Sequence, residues 1–102
     1  MSLDRDELAR TSVELHANFA RTGLTREQVA SDLGLTPAEL DDTLALEHAG
    51  PARGWLLRDY LLQVLEEQGR APVPFTVLTN ANKDRARLWF HLREAPRHTF
   101  TA

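Results

Sequence analysis

Leu24-Thr25-Arg26-Glu27-Gln28-Val29-Ala30-Ser31-Asp32-Leu33-Gly34-Leu35-Thr36-Pro37-Ala38-Glu39-Leu40-Asp41-Asp42-Thr43-Leu44-Ala45-Leu46 contains two complete helix starts separated by a glycine. Thr25 with Gln28 forms a capping box, in which a hydroxyl and an amide side chain satisfy two amides that a helix start would otherwise leave unpaired. Val29, Ala30 and Leu33 follow at helical spacing, and Gly34 breaks the run. Thr36, Pro37 and Glu39 then give a cap, a first-turn proline and a carboxylate three residues after the cap. Leu40 and Leu44 supply the buried stripe of this second helix. The pattern predicts two short helices that cross closely at a tight turn. A close crossing needs a small side chain, the role of Ala30, and the turn needs positive φ, the role of Gly34. Val29, Leu33, Leu35 and Leu40 fill the remaining apolar slots, while Thr43 stands where an apolar residue is common. A slight rotation would let Leu44 take that slot.

Outward from this pair, Ser2 or Asp4 caps a first helix, with Glu7 completing a box, Leu8, Leu15 and Phe19 on its apolar face and Gly23 at its end. His48 to Gly54, with Gly50, Pro51 and Gly54, reads as a connector. Trp55, Leu56, Leu57, Tyr60, Leu61, Val64 and Leu65 recur at three- and four-residue steps, which predicts a central core helix over 54–68 that stops at Gly69. Ala71 to Leu78 carries Pro72 and Pro74 and should run extended. Its edge could pair with another chain. Asn80 to Lys83 has the composition of a turn. Arg87 to Arg93 alternates Leu88, Phe90 and Leu92 with polar or larger neighbours, a strand-like period of two, yet lacks helix breakers. Strand and helix both stay open there, and a strand would form a short hairpin with residues 73–78. The expected fold is a mainly α, small helical bundle in one domain spanning 1–102, with an extended basic segment over 71–102.

The composition excludes several function classes. With 102 residues and no cysteine, the chain has no disulfide framework, no thiolate zinc site and no thiol nucleophile, which suits a reducing cytoplasm. No apolar run approaches the roughly 18 residues that span a bilayer, and the first residues lack the apolar core of a signal peptide. His16, His48, His91 and His98 are scattered, Ser2, Ser12 and Ser31 sit in no nucleophile elbow, and there is no glycine-rich phosphate loop. The reading is not an enzyme, with no metal and no cofactor. The net charge of −3 is unevenly spread. Residues 1–46 hold four bases against nine acids, whereas residues 70–102 hold Arg70, Lys83, Arg85, Arg87, Arg93 and Arg97 against Asp84 and Glu94. Arginines interleaved with Trp89, Phe90 and His91 could stack on single-stranded nucleic acid. Inward packing of Leu88, Phe90 and Leu92 with solvated arginines is the simpler account.

Leu24-Thr25, Val29-Ala30 and Leu33-Gly34-Leu35-Thr36 make residues 25–46 resemble the helix-turn-helix of lambda-repressor and Cro-like regulators. Asn18-Phe19, Gly23-Leu24, Asp32-Leu33-Gly34, Trp55 through Leu61, Glu67-Gln68-Gly69, Pro72-Val73-Pro74-Phe75-Thr76 and Trp89-Phe90 make the whole chain resemble a family of small bacterial proteins classed as a domain of unknown function. That second resemblance implies a helical intracellular protein with a regulatory role and brings no catalytic residues. The first implies double-stranded DNA as ligand. Arg21 and Arg26 would then clamp phosphates, with Gln28, Thr36, Ala38, Asp41 and Asp42 at the groove. Glu39, Asp41 and Asp42 oppose this, because the helix that should face DNA carries three acids and no base. The rival expectation is a protein-interaction module whose acidic third helix meets a basic protein partner. Opposite charge at the two ends of the chain also favours a homo-oligomer, such as a dimer.

Overall fold

The computed structural model describes residues 4–47 and 51–86, together with Leu88 and Ala95. The described residues form five helices and no strand: α1 (Arg5–Thr22), α2 (Arg26–Leu33), α3 (Pro37–Ala45), α4 (Pro51–Glu67) and α5 (Asn80–Ala86). The chain is mainly α, as expected.

All three capping boxes form. Asp4 accepts from the Glu7 amide at 2.8 Å, Thr25 from Gln28 at 3.1 Å and Thr36 from Glu39 at 3.1 Å, and each third residue returns the bond to its cap. Asp4, rather than Ser2, is the first cap. Gly23 and Gly34 close α1 and α2 at φ 71°, the left-handed region that a β-carbon disfavours. No atom stands within 4 Å of a β-carbon built on Gly34, so dihedral preference alone demands glycine there. Leu46 closes α3 at φ 57° without that freedom, and packing of its side chain against the core offsets the strain.

α4 is the centre of the molecule. Leu57, Tyr60, Leu61, Val64 and Leu65 are buried along it, and α1 and α3 pack on it, bringing Leu15, Leu40 and Leu44 into one cluster with Val29, Ala30 and Leu33 of α2. α2 reaches this core chiefly through α3 and through one polar contact, the Tyr60 hydroxyl donating to Asp32 Oδ2 at 2.5 Å.

Several expectations are corrected. α4 starts at Pro51, three residues before the expected start, because a proline in the first helical turn gives up an amide that has no helical partner anyway. Residues 80–83 are not a turn but the first half of α5: the Thr79 hydroxyl and carbonyl accept from the amides of Asn82 and Lys83, a cap hidden by the polar composition. Thr43 and Leu44 are both buried, so no rotation is needed. Thr43 satisfies its hydroxyl on the Glu39 carbonyl at 2.8 Å. Leu8 is 37% exposed and Leu88 81% exposed, although both were expected inside. Of the stretch 87–93 only Leu88 is described, so the choice of strand or helix lies outside the described residues, as does the start of the connector at 48–50.

Residues 70–79, the strap, run outside any helix or strand, and the other half of the expected hairpin, residues 87–93, lies outside the described residues apart from Leu88. α1 takes the place of a neighbouring strand. Buried Asn18 donates to the Val73 carbonyl at 2.9 Å and accepts from the Val73 amide at 2.8 Å, while Glu14 accepts from the Thr76 amide at 3.0 Å and its hydroxyl at 2.8 Å. Arg21 donates to the Ala71 carbonyl, and Arg70 returns a bond to the Arg21 carbonyl at 2.6 Å. The bonds of Val73 are thus spent on α1, and Pro72 and Pro74 on either side have no amide to offer. Residues 72–74 therefore offer no free amide along this edge.

Candidate functional site

The candidate site is the outer face of α2 and α3. In its scaffold Val29, Ala30, Leu33 and Leu40 are buried, Leu35 is partly buried, and Gly34 makes the left-handed turn. Because these residues point inward, Arg26, Ala38, Asp41 and Ala45 are exposed, and Asp42 is half-buried.

Five of the six polar residues expected to meet DNA, all but Asp42, have other partners. Arg26 grips Asp41 side-on through two donors of one guanidinium edge, Nε to Oδ1 at 3.0 Å and Nη2 to Oδ2, tying the start of α2 to the middle of α3. The pair is about half exposed on both sides, 49% and 50%, so it contributes no more than about 1 kcal/mol to stability. Its larger effect is local neutralisation: the one base between residues 26 and 47 faces a carboxylate. Arg21 is committed to the strap carbonyl of Ala71. Thr36 and Gln28 both serve their capping boxes, Gln28 accepting from the Thr25 amide at 2.8 Å. Of the seven residues expected at a DNA surface, the structure joins Arg26 directly to Asp41, and it turns Arg21 toward the strap.

Glu39 has two tasks. Its Oε1 accepts from the Thr36 amide at 2.9 Å, and its Oε2 meets Arg53 Nη2 at 3.4 Å. The backbone amide of Thr36 is the main cause that holds this carboxyl below the usual range. Partial desolvation opposes it, and the Thr36 hydroxyl and Arg53 assist. Arg53 falls in the expected connector of residues 48–54 but stands beside α3. The signal lay in Pro51, which marks a helix start that carries Arg53 on its first turn.

Two further polar links were not anticipated. Burial, reinforced by the Asp32 carboxylate, pushes the Tyr60 phenol above its ordinary pKa. A tyrosine in an otherwise aliphatic stripe needs a partner for its hydroxyl, which was the available clue. On the far side of α4, Asp59 pairs with both Arg58, at 2.8 Å, and Lys83 of α5, while buried Arg58 also bonds Asn80 and lies 5.6 Å from the Trp55 ring centre. This cluster docks α5 on α4.

Among the described residues no group of three or more histidine, cysteine or acidic side chains is placed to hold a metal ion. No helix of the described residues is long and apolar enough to cross a membrane. A crevice of about 220 Å³ opens between the α2–α3 link and the first turns of α4, lined by Leu35, Ala52, Arg53 and Leu56.

Residues 1–91 match the model of a family described as uncharacterized protein conserved in bacteria (DUF2316), and the chain belongs to that family. No curated protein and no solved structure matches the chain. The match agrees with the resemblance noted over nearly the full length and brings no activity with it.

Proposed function

We propose that this member of the bacterial family is a small regulatory interaction module of the cytoplasm, which presents the acidic face of α2 and α3 to a basic protein partner. The observation that carries the reading is the Arg26–Asp41 pair. It occupies the single base of residues 26–47, which also hold Glu27, Glu39, Asp42 and Glu47, and among these Glu39 meets Arg53. Such a face repels phosphates and attracts lysine- and arginine-rich surfaces. The absence of cysteine suits the cytoplasm. A second copy carries a basic stretch of sequence, since residues 70–102 hold six bases against two acids, and a homo-oligomer is therefore part of this reading.

A specific feature favours a second reading, in which α3 docks in duplex DNA as a helix-turn-helix. Buried Ala30 and left-handed Gly34 make the close bent pair that such docking requires, and Ala38 is exposed beside the α3 start. Arg26 would have to leave Asp41 for a phosphate.

The test is charge reversal in the native bacterium. Asp41→Lys combined with Asp42→Lys should abolish a crosslink between α3 and its partner protein while the circular dichroism spectrum stays unchanged, because Asp41 is exposed, Asp42 is not fully buried, and the lost Arg26 pair costs no more than about 1 kcal/mol. An undiminished crosslink would refute the reading.

A further inference from the structure

We infer that the crevice between the α2–α3 link and α4 is a binding site for a small monocarboxylate with an apolar body, held by Arg53. Among the described residues, the lining side chains Leu35, Ala52 and Leu56 are apolar, and Arg53 adds a guanidinium. This is the composition of a small-molecule site: mostly apolar walls with one group that fixes orientation. The volume of about 220 Å³ lies below the ~300–1,000 Å³ of drug-sized sites, which suits a branched-chain or single-ring acid.

Arg53 has donors to spare for such a ligand. Its contact with Glu39 is a single bond at 3.4 Å, long for a charge-assisted pair, and engages one nitrogen. Glu39 does not depend on it. The Thr36 amide, at 2.9 Å, is the principal stabiliser of that carboxylate, and Arg53 is the least of the causes that act on it. A ligand carboxylate can therefore take the guanidinium side-on while Glu39 stays on its cap. The site also touches what it could control. Leu35 belongs to the link that aims α3, and Glu39 caps α3, so an occupant that seats against Leu35 and draws Arg53 away acts on the start of the presented helix.

The experiment uses the full chain with benzoate and 4-methylpentanoate as probes, followed by methyl NMR. Both acids should give saturable shifts at Leu35, Ala52 and Leu56, and benzyl alcohol, which keeps the ring and lacks the charge, should bind at least about tenfold more weakly. Arg53→Gln, at a partly exposed position, should raise the dissociation constant about tenfold or more. Ala52→Trp, which fills the crevice, should abolish the shifts. Absence of saturable shifts up to about 10 mM, or equal affinity in wild type and Arg53→Gln, overturns the inference. Because neither readout involves a protein partner, failure here leaves the acidic-face reading standing, and the converse also holds.

Discussion

Asn18→Leu is the most searching test of how the fold is held, because Asn18 is fully buried and makes bonds that a leucine of similar size cannot. The substitution fills the same space, so the cavity contribution is small. It removes the donor to Val73 at 2.9 Å and the acceptor from Val73 at 2.8 Å, leaving an amide and a carbonyl on a half-buried residue without partners. Each stranded group costs about 1–3 kcal/mol, and partial access to water moves both toward the lower end. The expected loss is about 2–4 kcal/mol. With a urea m-value of about 1.5 kcal/mol/M, the midpoint should fall by about 1.5–2.5 M, read by circular dichroism at 222 nm. Hydrogen exchange at the Val73 amide should accelerate together with Thr76, because one strap carries both. A midpoint within about 0.3 M of wild type would refute the claim that α1 side chains stand in for a neighbouring strand.

Three more outcomes follow. Gly34→Ala should cost about 1–2 kcal/mol despite the open space around it, since a β-carbon at φ 71° is strained; an unchanged urea midpoint would remove glycine's dihedral role. Tyr60→Phe should cost about 1–2 kcal/mol at pH 7. The raised Tyr60 pKa means that its contribution is complete below the unfolded phenol value of about 10 and is lost as pH climbs above it, so the midpoints of wild type and Tyr60→Phe should converge between about pH 9.5 and 11.5. Glu39 has a lowered pKa, so its contribution is present above about pH 4.5 and is lost on acidification; Glu39→Gln should flatten the acid limb of the stability profile between about pH 5 and 3, and an unaltered limb would contradict the capping role.

What could be read from the sequence was local. Asp4, Thr25 and Thr36 each announce a helix start because cap and partner lie three residues apart, and Gly23 and Gly34 announce stops because the left-handed turn there favours glycine. The stripe from Trp55 to Leu65 named the core helix, since periodic burial leaves periodic apolarity. What could not be read was long-range polar pairing. Nothing in the spacing of Asn18 and Val73, 55 residues apart, tells that an amide side chain completes an extended backbone. The same holds at the candidate site. Arg26 and Asp41 were singled out as opposing influences on DNA, yet their union across a tight turn depends on the side-chain directions of two helices, which composition does not reveal. Asn80-Ala81-Asn82-Lys83 looked like a turn because its residues also suit turns, and the Thr79 cap outweighed that composition.

The central claim is that the α2–α3 face is built for a basic protein surface, and fluorescence anisotropy against two labelled probes at low salt tests it most directly. Wild-type protein should bind an arginine- and lysine-rich peptide with an affinity that Asp41→Lys plus Asp42→Lys lowers at least about tenfold, and should leave a random-sequence duplex unbound at about 10 μM. Tight duplex binding that is lost in Arg26→Ala, with no response to the peptide, would contradict it.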